Sequence, residues 1–367
     1  MAITGFSHGA RGLAGWTFND PAVNDWQDLS AAAVVGANHS IEMYLDGNNL
    51  KPESGVDELT VQNSTTSMNP SVKTTETTEG SFSTTHPFYM ATTAGVAQWW
   101  GGSAAPAQQG GTAAYLHAFS FDEDYQGQIL SHCQSDGKRL REIPHMKIEK
   151  MKFTYERGKV GKIEWGVVCD RMIEDDTGAN TLAVFDGAVT VLTQPTTAYV
   201  HIGSTQFVVR INAFTGGALG AGDVRYPSKI ELNYERNVKR FSRTDTGLYI
   251  SEPVGGDWRL VGGQLDFAVD NSTSDTDWGW LLNNTGLKMD IVATGDTIAG
   301  AFDYEWTWLY PYIEASSDGL PEVDTADVLP IEIPFVARRA PSVPAGFAVR
   351  DVTMTVQDVR TTNWLAA

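Results

Sequence analysis

The first residues with a catalytic spacing are Gly5-Phe6-Ser7-His8-Gly9, which match the G-x-S-x-G pattern of a nucleophilic serine. That nucleophile sits between a strand and a helix, and four preceding residues are too few to supply the strand. A second Gly-rich stretch, residues 217–222, lacks the G-x-G-x-x-G spacing, and a Pro-containing, strand-like segment follows it where a phosphate site needs a helix. We expect neither a catalytic serine nor a phosphate-binding loop.

Metal-binding patterns are also missing from the sequence. The seven histidines include no H-E-x-x-H motif, and the two cysteines form no C-x-x-C. His132 beside Cys133 is one soft-ligand pair, whereas a structural zinc needs four ligands. The acidic runs Asp122-Glu123-Asp124 and Glu174-Asp175-Asp176 lack the Gly and distant Glu of a calcium loop. We predict solvated acidic turns there, and no metal or cofactor.

Two chemical possibilities stay open. The chain has 45 Asp and Glu residues, and a glycosidase carboxylate pair has no fixed sequence spacing. The 11 tryptophans could form a platform on which sugars stack, although Trp165, Trp306 and Trp308 share the phase of aliphatic core residues. Trp99-Trp100, followed by two glycines, fits either a loop anchor or an intersubunit contact. We name both as candidate intersubunit residues.

Charge and length narrow the class of protein. The 367 residues carry 26 Lys and Arg against 45 Asp and Glu, a formal net charge of −19, so the average field repels phosphate and disfavours a sequence-reading DNA-binding protein. The start shows no basic and apolar leader, and no window reaches about 18 uninterrupted apolar residues. We expect synthesis in the cytoplasm, no membrane span, and unpaired, packed thiols at Cys133 and Cys169.

Period-two alternation is the main structural signal, and it predicts strands with one buried face. In residues 162–170 the apolar set is Ile163, Trp165, Val167 and Cys169. The other predicted strands are residues 71–85, 114–121, 146–155, 205–213, 229–235, 264–270, 287–292, 303–310, 331–335 and 349–359. Alternation favours antiparallel pairing. The predicted fold class is mainly β, an antiparallel sandwich or barrel with extended arm loops and short helices near 24–35 and 276–284.

The domain prediction separates a poorly patterned start from the rest. Residues 1–60 are interpreted as an N-terminal arm or elaborated surface element. Residues 61–367 form a β domain, which could consist of two similar halves, 61–200 and 201–367. The Thr-rich segment from Thr60 to Thr85 is predicted to be extended.

The order of features from Gly80 onward resembles a known family. It runs through Tyr115–Phe121, Ile143–Glu149, Phe153–Gly161, Gln206–Asn212, Ser228–Asn237, Leu260–Asp270, Gly286–Ile291, Tyr304–Trp308, Ile331–Phe335 and Val352–Val356. This order is similar to that of the tail tube proteins of bacteriophages with long, non-contractile tails. The resemblance covers most of the chain and rests on element order and weak motifs, while the first 60 residues depart from the compact start of that family.

The resemblance implies a structural virion protein of the tail, with no catalysis. Six copies would form a ring, or three copies if the chain holds two tube-like halves, and stacked rings would form a tube. The implied partners are other copies of the chain, the tape measure protein, the tail terminator and the baseplate or tip proteins. DNA would pass through without specific binding.

A polar strand face would line such a channel. The carboxylates out of phase with their strands' apolar residues are the candidates: Glu231, Asp266, Asp270, Asp290, Asp303 and Glu305. Two rival functions remain at this point. One is an extracellular β-sandwich that binds carbohydrate or mediates adhesion, and the other is a β-rich hydrolase with a carboxylate pair.

Overall fold

A computed structural model describes residues 13–19, 26, 34–35, 40–41, 43, 48–57, 72–88, 91–122, 126–136, 138–174, 180–189, 199–202, 207–240, 250–267, 286–315 and 331–365. Numbered in chain order, the strands are β1 Leu13–Phe18, β2 Ser40–Ile41, β3 Lys51–Asp57, β4 Val72–Thr85, β5 Gly101–Ser103, β6 Ala107–Gln108, β7 Tyr115–Phe121, β8 Leu130–Ser135, β9 Leu140–Glu156, β10 Lys162–Cys169, β11 Ile173–Glu174, β12 Phe207–Ala213, β13 Val224–Arg225, β14 Lys229–Lys239, β15 Val254–Phe267, β16 Leu287–Ala299, β17 Phe302–Ala315, β18 Ile331–Ala337 and β19 Thr353–Asp358. The helices are α1 Thr92–Trp100 and α2 Leu182–Val189, with a short 3-10 turn at Ala221–Asp223.

Most of the strands form two antiparallel layers, while β8 and β11 pair with the first part of β9, and β1 pairs with β8 and β2. The first layer has the order β3-β4-β10-β9-β14-β15-β18. The second has the order β13-β12-β16-β17-β19-β7, and β5 and β6 pair with β7. The end of β17 pairs with β18 and joins the layers at one corner. The predicted mainly β, antiparallel fold class is confirmed.

The inner faces of the two layers meet in an aromatic core. Phe153 of β9 lies 5.7 Å from Trp308 of β17, and Tyr155 lies 5.8 Å from the same ring, both measured between ring centroids. The hydroxyls of Tyr234 and Tyr310 form a hydrogen bond across the layers. All five side chains are fully or almost fully buried. The alternation in β9, β14 and β17 therefore separates an inner apolar face from an outer polar one.

One described part of residues 1–60, the region predicted as an N-terminal arm or elaborated surface element, belongs to the core. Strand β1 pairs with β8 along six residues, from Leu13↔Ser135 to Phe18↔Leu130. Trp16 of this strand is fully buried and its indole nitrogen donates to the Ala91 carbonyl over 2.8 Å. Residues 13–18 are thus part of the core, because Trp16 supplies apolar area to it and β8 satisfies their backbone hydrogen bonds.

The division into halves passes through one continuous sheet. Strand β9 of the first half pairs with β14 of the second, from Lys229↔Glu156 to Glu235↔Lys150, and the main core cluster draws on both halves. The helix predicted at 276–284 lies outside the described residues. Of the helix predicted at 24–35, the structure describes Trp26, Val34 and Val35 alone.

Candidate assembly and channel surfaces

The outer face of the first layer is charged, and we call it the charged face. Along β14, the residues of this face alternate with the buried residues Ile230, Leu232 and Tyr234. Strands β9, β10, β14, β15 and β18 contribute the lysines Lys150, Lys152, Lys162 and Lys229 and the acids Glu156, Glu164, Glu231, Glu235, Asp266 and Glu332. Acids therefore outnumber lysines on this face.

Glu231 is the most connected carboxylate of the charged face. Its two oxygens accept hydrogen bonds from Lys152 Nζ at 2.7 Å and Lys229 Nζ at 2.8 Å. Partial burial acts to raise the pKa of Glu231, but the two lysines outweigh it and leave the pKa below its usual value. The hydrogen bond to Glu231 raises the pKa of Lys229 in turn. Glu231 is therefore a carboxylate whose charge is shared by two cations.

Two further ion pairs of this face join residues that lie directly opposite each other on neighbouring strands. Lys150 Nζ lies 2.8 Å from a Glu235 oxygen, and these two residues face each other in the β9–β14 register. Lys229 Nζ also lies 4.0 Å from Asp266, whose carboxylate accepts a 2.7 Å hydrogen bond from Gln264. Opposite charges placed directly across a ladder stabilise the pairing of strands.

The outer face of the second layer is mostly neutral, and we call it the hydroxyl face. It carries Asp303 and Glu305 of β17, both half-buried, and Asp290 of β16. Threonines and small residues surround these acids: Thr294, Thr307, Thr353, Thr355, Ala118 and Ser120. The Thr307 hydroxyl lies 2.9 Å from a Glu305 oxygen, to which it donates.

Asp290 is a paired, buried acid. Its oxygens accept two hydrogen bonds from Arg210, from Nε at 2.8 Å and from Nη2 at 2.7 Å, in a bidentate geometry. Burial raises the pKa of Asp290 more than Arg210 lowers it. With 7% exposure, Asp290 adds little negative field to the surface.

The predicted channel residues therefore do not form one group. Glu231 and Asp266 lie on the charged face. Asp290, Asp303 and Glu305 lie on the hydroxyl face, which is on the other side of the core. Asp270 lies outside the described residues. In both sets the acids alternate with buried residues along their strands, so they lie on the outer side of their own layer. Because the outer sides of the two layers face in opposite directions, one channel wall cannot contain all of these acids.

The prediction for Trp99 and Trp100 needs correction. Both are the last residues of α1, and both are fully buried within the chain. Trp99 lies 5.3 Å from Tyr234 and Trp100 lies 4.5 Å from Phe121, between ring centroids, and the Trp99 indole donates to the Glu149 carbonyl. They form neither a loop anchor nor, in this conformation, a surface that another subunit could reach.

A surface cleft of about 340 Å³ contains two glutamates, the arrangement that the hydrolase alternative requires. Glu79 and Glu149 line it, and partial burial raises the pKa of Glu149. Arg240, however, donates hydrogen bonds to both carboxylates. A guanidinium shared by two carboxylates favours an ion-pair network over an acid and nucleophile pair.

Asp122 contacts two arginines that the sequence did not predict as neighbours. The backbone carbonyl of Asp122 accepts hydrogen bonds from Arg236 and Arg259, and Arg236 is 2% exposed. Arg236 falls in the apolar phase of β14, between the buried residues Tyr234 and Val238. A charged residue in a buried phase is the sequence signal that could have located this contact.

Strands β3 and β4 continue as a two-stranded segment beyond the residues of β4 that pair with β10. Residues 78–85 of β4 pair with β10, whereas residues 72–77 pair, within the described part of the chain, with β3 alone. Six residues of extended chain span about 20 Å. Residues 52–57 and 72–77, which we call the arm, include two aliphatic residues, Val56 and Val72.

Other predicted features take ordinary structural places. Eight tryptophans whose side chains the structure describes are buried: Trp16, Trp26, Trp99, Trp100, Trp165, Trp306, Trp308 and Trp364. Cys133 and Cys169 are free and buried, and burial raises the pKa of each thiol. The described residues contain no cluster of His, Cys, Asp and Glu suited to a metal ion, and none of their helices could cross a membrane.

Comparison with known proteins gives no further assignment: no protein-family model and no curated protein sequence matches this chain.

Proposed function

We propose that the chain is the subunit of a phage tail tube, a structural virion protein that assembles into stacked rings through which DNA passes. The observation that carries the proposal is the arm. Two strand segments that pair only with each other are marginally stable in water. Within the described part of the chain residues 72–77 pair with β3 alone, and the two segments have almost no apolar residues with which to build a core. A neighbouring subunit that binds the arm would supply the missing contacts.

The two outer faces support the same proposal. The charged face is wet, with side-chain exposures of 54% for Lys150 and 42% for Glu235, and such residues are depleted in the cores of protein interfaces. The hydroxyl face is weakly polar and mostly half-buried already. A ring subunit needs both kinds of surface, since it contacts neighbours and also faces solvent.

The proposal places the protein in the virion tail after synthesis in the host cytoplasm. Its partners would be further copies of the chain in six-membered rings, the tape measure protein, the tail terminator, and the baseplate or tip proteins. The continuous β9–β14 sheet favours one tube unit per chain over two separate halves. The chain would need no cofactor.

Electron microscopy of the purified protein tests the proposal. We expect rings or tubes of uniform diameter that lengthen as the protein concentration rises, and class averages of the rings give their symmetry. A strictly monomeric population at high concentration would contradict the proposal.

A shortened variant tests the role of the arm. Residues 53–77 are replaced by Asn-Gly, which joins the register partners Pro52 and Thr78 by a tight hairpin turn. We expect this variant to keep the urea unfolding midpoint of the wild-type subunit but to form no tubes. Normal tubes from the variant would show that the arm is not needed for assembly.

A further inference from the structure

Three lysines of the charged face are paired with carboxylates, and this pairing has a consequence for a passing polyanion. Lys152 and Lys229 share Glu231, and Lys150 pairs with Glu235. A lysine whose ammonium is engaged in this way is a poor partner for phosphate, because binding phosphate would require it to give up a carboxylate. The remaining acids of the face repel phosphate.

Among its described residues, the hydroxyl face shows no exposed lysine that is paired with a carboxylate. Its described cations are Arg210, held by both oxygens of Asp290, and Lys288, which is fully buried and donates to the carbonyls of Gly216 and Ala345. Neither cation is poised at an exposed, charged surface. The half-buried aliphatic residues Val292 and Leu309 accompany the threonines of that face. A weakly polar face suits protein contacts better than a water-filled channel.

We infer that the charged face lines the channel, and that Glu231 acts there as a clamp that withholds Lys152 and Lys229 from the phosphates of passing DNA. The inference rests on the proposed function for the existence of a channel, but the clamp itself can be tested on the unassembled subunit. The face would then combine an acidic excess with lysines that stabilise the sheet without binding DNA.

The first experiment measures duplex DNA binding by Glu231→Gln across a range of salt concentrations. Glu305→Gln is the matched control, since it removes the same charge from the hydroxyl face, where no lysine pairs with Glu305 among the described contacts. Each lysine that is freed to contact a phosphate makes the slope of log K, the DNA association constant, against log salt concentration more negative by about 0.9. We expect Glu231→Gln to bind several-fold more tightly than the control at low salt, with a slope steeper by about 1 to 2.

A second variant separates the clamp from a general charge effect. In Lys152→Gln/Glu231→Gln, one of the two released lysines is gone, and the slope should be less steep by about 1 than for Glu231→Gln. Equal DNA binding by Glu231→Gln and Glu305→Gln would overturn the clamp. Urea midpoints for the variants confirm that the comparison is made between folded proteins.

The position of the face is tested by thiol labelling of assembled tubes. Asn233→Cys places a thiol on the exposed centre of the charged face, and Ser120→Cys places one on the hydroxyl face, while Cys133 and Cys169 are buried. We expect Asn233→Cys in tubes to react with a small maleimide and to be protected from a maleimide carried on a large polymer. Labelling by both reagents would place the charged face outside and overturn the inference, whereas failure of the wild-type chain to form tubes would instead contradict the proposed function.

Discussion

Two buried histidines should make the subunit sensitive to mild acid. His86 and His132 are fully buried in the core. Burial lowers the pKa of His86 to about 3 and that of His132 to about 4, although a backbone contact of His132 with Gly15 acts in the opposite direction. An unfolded chain binds a proton at each of these residues near pH 6.5, whereas the folded chain does not.

The direction of the pH dependence follows from the number of protons that the folded and unfolded states bind. Between pH 6.5 and the folded pKa values, the unfolded state binds more protons, so stability falls as pH falls. At pH 5 the solution is about 1.5 pH units below the ordinary pKa of histidine. The free energy of unfolding therefore falls by about 2 kcal/mol for each buried histidine between pH 7 and pH 5. The two together predict a loss of about 4 kcal/mol, a large part of the roughly 5–15 kcal/mol by which domains are stable.

His132→Phe isolates half of this effect. The His132 ring stacks on Phe82, with 5.2 Å between ring centroids and planes inclined by 22°, so a phenylalanine has the right shape for the site. Urea unfolding of the unassembled subunit at pH 7, 6 and 5 gives the free energy for each protein. We expect the loss between pH 7 and pH 5 to be smaller by about 2 kcal/mol in the variant than in the wild type.

Comparing the pH dependence of the unfolding free energy in the two proteins removes the contribution of other titrating groups. The pKa values of Glu149 and Asp290 are raised by burial, and such acids act in the opposite direction, since they favour the folded state as pH falls. Their contribution is common to both proteins and cancels in the difference. Parallel pH dependences for the wild type and His132→Phe would refute the reasoning, whatever the stability of the variant at pH 7.

Two further predictions concern single contacts. Trp99→Ala should lower the stability of the unassembled subunit by about 3–5 kcal/mol in urea unfolding, because the side chain is fully buried; unchanged subunit stability with lost tube formation would instead restore an intersubunit role. Asp290→Asn should cost about 1–3 kcal/mol by leaving the half-buried Arg210 without its bidentate partner; a double-mutant cycle with Arg210→Gln that shows no coupling energy would contradict this.

The strands could be predicted because their alternation is local information. Ile163, Trp165 and Val167 of β10 are buried as their phase requires, and so are Leu265 and Phe267 of β15. Local alternation arises where one face of a strand meets the core and the other meets water. Each strand predicted from residue 71 onward overlaps a strand of the structure, but β15 begins ten residues before the predicted start at 264, and β8 was not predicted.

Helix α1 could not be predicted from the same kind of pattern. All of its nine residues are buried, so Thr92, Gln98 and the two tryptophans show no polar stripe at helical spacing. The helix ends at Gly101, whose φ of 78° is the left-handed conformation that favours glycine. The first glycine after Trp100 thus marks a helix end, whereas the sequence alone favours a loop anchor or an intersubunit contact for the two tryptophans before it.

The channel residues show where one sequence stops being informative. Glu231 and Glu305 occupy equivalent phases in two strands, and phase assigns each of them to the outer side of its own sheet. Which sheet that is depends on long-range pairing, of β14 with β9 and of β17 with β19, and no local pattern specifies a partner strand. The division of the acids between two faces therefore became visible only in the structure.

The net charge of −19 is consequently a weak guide to how the molecule meets DNA. A total charge describes the field at long range, and salt screens that field over about 8–10 Å under ordinary conditions. At contact distance, what matters is whether a cation is free to approach a phosphate. A single glutamate that engages two lysines can therefore change DNA binding more than its one unit of charge suggests. The variant Glu305→Gln removes the same charge from the other face, so comparing it with Glu231→Gln separates the effect of local pairing from that of total charge.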